Sequence, residues 1–212
     1  MIFYQPHQRD RELLPHDPFK GMILPRPIGW ISSMNRAGQV NLAPYSYFNA
    51  FGTSPPVVGF SSEGEKDSQA FAIERGEFVW SMATYPVRLQ MNATSAALAR
   101  GESEFAHAGL EPAASRLVAP PRVAGAPAAL ECRVTQVVRL KDLDGKESAR
   151  VLVLGQVIGV HIDEKFVKNG RLDAVAMQPI ARCGYDEYTI IDRVFSLTRP
   201  EGGGNAFGGA GG

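Results

Sequence analysis

The strongest constraint on the fold is a pair of long strand signals. Leu130, Cys132, Val134, Gln136, Val138 and Leu140 recur at every second position, with one polar exception, so they share one face of an extended segment. Asp144-Gly145 follows as a tight-turn pair, and residues 150–162 (RVLVLGQVIGVHI) return as a second long β-rich run. Shorter strand signals surround this hairpin. IGWISSM (28–34), the turn composition Asn35-Arg36-Ala37-Gly38 and residues 39–43 read as another hairpin. Pro55-Pro56 opens a run over Val57–Phe60, and residues 77–83 set Phe78, Trp80 and Met82 against Glu77, Val79 and Ser81. Helical signals are few. Asp67 or Ser68 can cap a helix through Arg75, stopped by Gly76. Thr84 can cap another through Met91 with Pro86 in its first turn, and Glu164–Lys168 suits a single turn. The expected architecture is an antiparallel, barrel-like sheet of about six or seven strands with small helices outside it, because closure removes exposed edges.

Two segments stand apart. Residues 100–127, rich in Ala, Pro and Arg, read as a long surface excursion of the kind that forms lids or partner contacts. Residues 201–212 (EGGGNAFGGAGG) are too glycine-rich to hold a fixed backbone, and their spacing does not meet a dinucleotide-binding fingerprint.

Composition narrows the function. Lys plus Arg and Asp plus Glu are both 22, so the net charge is zero and there is no footprint for a nucleic-acid backbone. No apolar run approaches the ~18–20 residues that cross a bilayer. The amino terminus lacks a secretory pattern, so a cytoplasmic protein is expected. Cys132 and Cys183 then read as reduced thiols, with a disulfide between them as the alternative. His7, His16, His107 and His161 show no metal-ligand spacing, so no metal is expected. Nucleophile-elbow and phosphate-loop motifs are missing; a charge-relay triad, which assembles in space, stays open though nothing local recommends it, and a bound cofactor is the expected source of any hard chemistry.

The dense region is residues 26–68. RPIGWISS, NLAPYSYFNAFG and GFSSEGEKDS place hydroxyls, aromatics and a lysine beside turn residues. A planar, phosphate-bearing cofactor needs flat apolar surface, hydrogen bonds to a ring edge, and hydroxyls, backbone N–H groups and a cation for its phosphate. Ser61-Ser62 followed by Lys66-Asp67-Ser68, where a helix begins, meets the phosphate requirement. Plainer readings stand beside these. Lys66 can be a solvated surface lysine and Ser61-Ser62 a strand-end turn. Trp30 and His161 can be core residues, and at least one of Tyr45, Tyr47 and Phe48 must face the core or a dimer interface. Arg182 can pair with Asp186 or Glu187, and Cys132 can be core filler.

The same segments carry a resemblance. RPIGWISS, NLAPYSYFN, FSS and KDS, followed by MNAT, ECRV, GQVIGVHID and PIARxGYxxY, resemble the flavin reductase-like family over about residues 21–188. The resemblance implies a mainly β fold: a six-stranded antiparallel split β-barrel of the FMN-binding, Greek-key type with a few short peripheral helices. Residues 1–20 would be an N-terminal extension, 21–198 the domain and 199–212 a disordered tail. It implies a homodimer with FMN near the interface, NADH or NADPH as co-substrate, and in some relatives an oxygenase that receives reduced flavin. Carried over residue by residue, Trp30, Ser32 and Ser33 line the flavin. The backbone around Tyr45, Ser46, Tyr47 and Asn49 meets the ring edge, with Ser46 able to hydrogen-bond it. Ser61, Ser62, Lys66 and Ser68 hold the phosphate. Arg182 and His161 fall near the cofactor or its nicotinamide partner, which makes His161 the one weak catalytic candidate. The resulting expectation is an NAD(P)H-dependent flavin reductase. An FMN electron carrier and a homologue without flavin are the alternatives.

Overall fold

A computed structural model of the chain describes residues 1–99, 101–198 and 200. The glycine-rich tail expected at 199–212 therefore falls almost wholly outside the described residues. The main sheet has seven strands: β2 (Gly29–Met34), β3 (Val40–Tyr45), β4 (Phe48–Thr53), β5 (Pro56–Glu63), β6 (Glu77–Ser81), β7 (Ala128–Lys141) and β8 (Glu147–Ile162). Their order is β3-β2-β6-β7-β8-β5-β4, with antiparallel pairing throughout. The two edge strands, β3 and β4, are joined directly by Ser46-Tyr47. At that seam the Ser61 N–H donates to the Tyr47 carbonyl at 2.8 Å, and the Tyr45 ring packs 5.0 Å from Phe60. The sheet thus curls until its edges meet at one end, giving the split barrel expected of this mainly β chain, with seven strands where the residues suggested six or seven and the resemblance six. A small second sheet joins β1 (Arg26–Pro27), β9 (Ile180–Arg182) and β10 (Tyr188–Ile190).

Two apolar clusters lie on either side of β2 and β6. Inside the barrel, Ile31, Tyr45, Phe60, Phe78, Cys132, Val151 and Val153 pack together. On the outer face, Trp30, Leu42 and Ile28 pack with Met91, Phe105, Val123 and Ile180. Trp30 and Ile31 are successive residues and point to opposite faces, so β2 is buried on both. The cover over the outer face comes from α2 (Arg88–Ala93), α3 (Glu104–His107) and residues 115–123. The segment expected to be a free surface excursion is therefore structural, since without it Trp30 and Val79, both fully buried, would face water.

Glu131 fastens this cover. Its carboxylate, fully buried on β7, accepts N–H bonds from Arg116 at 2.7 Å, Leu117 at 2.6 Å and Val118 at 3.2 Å, and pairs with His161 Nε2 at 2.5 Å. Burial alone would raise its carboxyl, but the Arg116 N–H, His161 and the Leu117 N–H outweigh burial and hold it below the ordinary range.

The long hairpin departs from strict alternation. A register shift in β7 between the Gln136–Leu154 and Val134–Gly155 pairs puts Val137 and Arg139 opposite Val153 and Val151, on the face those buried valines share, although Val137 itself is exposed. Val137, Val138 and Leu140 are all more than a third exposed, on an arm that runs past the core, and the shift breaks the single face expected for positions 130–140. Asp142 Oδ1 accepts from the Asp144 and Lys146 N–H groups at the tip, where Gly145 has φ +80°. Both cysteines are free, and burial beside Glu131 pushes the Cys132 thiol far up. No helix among the described residues is long and apolar enough to cross a membrane.

Candidate functional site

At the seam of the barrel a cleft of about 600 Å³ opens between the end of β3, the Ser46-Tyr47 link, the end of β5, the start of α1 (Asp67–Arg75) and residues 94–98. Its floor contains an anomaly. The hydroxyls of Tyr45, Ser61 and Ser62 are buried and make no hydrogen bond within the chain. Such groups are costly unless something else satisfies them. Their backbones are committed to the sheet, Ser61 opposite Leu152 and Ser62 opposite Val151, and as successive strand residues they line the cleft from opposite faces of the end of β5. Burial raises the Tyr45 phenol; the Ser68 and Ser62 hydroxyls face it and oppose the shift without completing a hydrogen bond.

Positive charge is placed around these hydroxyls. Lys66 is the N-cap residue of α1, in extended conformation, and no side chain caps the first turn, so the helix start offers N–H donors beside an ammonium group. Arg150, on β8, pairs with Glu63 and lays its guanidinium 4.7 Å over the Tyr47 ring. Lys20 completes the cations on the cleft. The network beneath is closed: Ser68 donates to Asn41 Oδ1, Asn41 Nδ2 donates to Glu104 at 2.6 Å, and the Leu42 N–H donates to Glu104 at 2.9 Å. Burial pushes the Glu104 carboxyl up, and the Leu42 N–H and Asn41 only partly offset it. The Ser68 hydroxyl proton is therefore committed, and Ser68 meets a ligand through its backbone N–H or as an acceptor.

The structure brings Tyr45, Ser46, Tyr47, Ser61, Ser62, Lys66 and Ser68 together on this cleft. The remaining candidates lie elsewhere. Trp30 is fully buried in the outer cluster and donates through Nε1 to Thr94 at 3.0 Å, so its effect on the cleft is to brace the 94–98 wall. Ser32 donates to the Pro121 carbonyl, and Ser33 is fully buried on β2 beside Asn41, its register partner on β3. Asn49 is exposed on the edge strand and accepts from the Ala50 N–H. His161 sits nine residues beyond Leu152 on β8, roughly 30 Å along the strand from Ser61, and is bound to Glu131. Arg182 makes no ion pair with Asp186 or Glu187. It donates to the Tyr188 hydroxyl at 2.6 Å and to the Tyr185 carbonyl, and it lines a separate cavity of about 700 Å³ beside Arg88 and Ile180.

Arg150, Glu104 and Lys20 escaped the sequence reading. Arg150 opposite Glu63 is a cross-strand charge pair that becomes visible once β5 and β8 are known to be neighbours. Lys20 and Glu104 reach the cleft from segments with no local signal.

An antiparallel sheet curled around a core carries, at its seam, unpaired hydroxyls, cations and a helix start, a donor set that suits an anionic, phosphate-bearing ligand. Residues 21–175 match the model of the flavin reductase like domain, and the chain belongs to that family. It is 33% identical over 185 residues to an uncharacterized protein of Halalkalibacterium halodurans, covering 85% of this chain and 88% of that one. Among solved structures it is similar to nitrilotriacetate monooxygenase component B from Bacillus cereus (30% identity, TM-score 0.84, 93% and 98% of the two chains). It is also similar to 2-nitrobenzoate 2-nitroreductase from Pseudomonas fluorescens (28%, TM-score 0.75, 88% and 91%).

Proposed function

We propose that the protein is an FMN-binding oxidoreductase that accepts hydride from NADH or NADPH and passes electrons to a small acceptor or, as reduced flavin, to a partner oxygenase. The observation that carries this reading is the set of three unpaired buried hydroxyls, Tyr45, Ser61 and Ser62, beside Lys66 and the start of α1. These donors and cations fit a phosphate monoester, and a cleft of about 600 Å³ has the size of a cofactor site. FMN would supply the redox chemistry when bound. The chain would hold its phosphate with Ser61, Ser62, Lys66 and the first-turn N–H groups of α1. Ser46 and the neighbouring backbone would meet the ring edge, and Arg150 would keep Tyr47 flat against the opening. Positioning of this kind serves hydride transfer without a titrating side chain at the reacting atoms.

Two of the relatives with solved structures are named for a monooxygenase component and for a nitroreductase, which supports both routes for the electrons. A partner copy has a suitable face in an apolar groove of about 350 Å³ along β5, β7 and β8, with Phe51 and Val160 exposed at its edge. The reading places the protein in the cytoplasm, where nicotinamide nucleotides are available, and the domain would extend to residue 198. The test is anaerobic addition of NADH and NADPH to FMN-loaded protein. Rapid loss of the flavin's visible absorbance with one or both nucleotides is expected. Bound flavin that neither nucleotide bleaches would make the protein an electron carrier, and protein that binds no flavin would refute the reading.

A further inference from the structure

We propose that Lys20 is a second phosphate-binding lysine of the seam cleft, and that buried Arg26 is the residue that positions it; the inference rests on the FMN reading above. Lys20 precedes the matched domain, yet it lines the cleft with Lys66, Ser61 and Ser62. No ion pair engages it among the described residues. The acidic groups on the cleft are Glu63, Glu65, Asp67 and Glu104. Glu63 is paired with Arg150, and Glu104 is tied to Asn41 and the Leu42 N–H. A ligand with two negative charges thus meets two ammonium groups on the cleft, those of Lys20 and Lys66.

What holds Lys20 there is polar. Its neighbours Phe19, Met22, Ile23 and Leu24 are each about half exposed or more, so apolar packing does not fix this segment. Arg26 does. Its guanidinium, on a residue that is 8% exposed, donates to the Lys20 carbonyl at 2.5 Å, to the Ile23 carbonyl, and to the Cys183 carbonyl at 2.6 Å. One side chain thus ties the Lys20 turn to the end of β9. A second contact reinforces it: Gly21 and Gly184 touch backbone to backbone, and a Cβ on Gly184 would lie 2.8 Å from the Gly21 Cα. Adding a methyl at residue 184 would push the Lys20 turn away without touching Lys20 or Arg26.

A phosphate contact differs from a structural one in which flavin it serves. Riboflavin has the same ring without the phosphate. In the full chain, Lys20→Ala should weaken FMN about five- to tenfold and leave riboflavin within about twofold, as expected for one solvent-accessible charge-assisted bond. The salt dependence of FMN affinity should become shallower. Arg26→Lys and Gly184→Ala should each show the same FMN-selective loss, and neither should add to Lys20→Ala, since all three would remove one contact. Equal weakening of both flavins by Lys20→Ala, or an FMN affinity unchanged within about twofold, would overturn the assignment. Full additivity of Arg26→Lys with Lys20→Ala would overturn the positioning role. Wild-type protein that binds no FMN would overturn the FMN reading and this inference together.

Discussion

Ser62→Ala should make the ligand-free protein more stable and the flavin-bound protein weaker, two effects of opposite sign from one oxygen atom. Ser62 is 1% exposed, and its hydroxyl has no partner within the chain. An unsatisfied buried hydroxyl costs about 1–3 kcal/mol, part of which removing it returns, so ligand-free stability should rise by about 0.5–1 kcal/mol. The alanine leaves little extra space and no polar group behind. In the complex the same hydroxyl would donate to a phosphate dianion, and its loss should cost about 1.5–3 kcal/mol, or about 10- to 100-fold in Kd. Urea denaturation without ligand gives the first quantity, and quenching of flavin fluorescence on titration gives the second. Thermal unfolding links the two, because the rise in Tm at a fixed FMN concentration should shrink in the variant. A ligand-free protein that loses stability while its FMN affinity stays unchanged would refute the reasoning, for Ser62 would then be a packing residue.

Glu131→Gln should destabilise the fold by about 2–4 kcal/mol, measured by urea denaturation, because an amide NH₂ would face the N–H donors that the carboxylate now satisfies. Since the folded pKa of Glu131 lies below its ordinary value of 4.5, its stabilisation is present above that pH and is lost as pH falls through the lowered value; the variant should lack this acid-side loss. His161→Ala, acting on the same cover, should leave FMN affinity within about twofold by titration. In thiol labelling of native protein, Cys183 should react and Cys132, buried with its thiol pushed far up, should not until the protein is denatured.

Local chemistry wrote the secondary structure plainly. The helix expected from Asp67 or Ser68 runs over Asp67–Arg75, ending at Gly76 with φ +76°. The turn expected at Thr84 with Pro86 becomes a 3-10 segment leading into α2, but neither Thr84 nor the expected Asp67 or Ser68 supplies a side-chain cap. The grouping of Ser61, Ser62, Lys66 and Ser68 on one cleft was also readable, because these residues lie close together around a strand end and a helix start. The ring-side candidates were harder. Trp30 and Ile31 alternate across β2, and a strand covered on both faces gives no sign of which face meets a ligand. The cover itself was misread because residues 100–127 have no periodicity; buried Glu131, on the long hairpin and paired with partly buried His161, organises its later part. The register shift in β7 likewise puts Val137 rather than Val138 on the face of Val153, a change that no alternation count anticipates. Lys20 and Arg150 reach the cleft only through the folded topology.

The most direct test is a crystal structure of the protein with FMN. The phosphate should lie within hydrogen-bond distance of the Ser61 and Ser62 hydroxyls, with Lys66 at its side. A flavin bound in the cavity beside Arg182, with the Tyr45, Ser61 and Ser62 hydroxyls still unpartnered, would contradict the account.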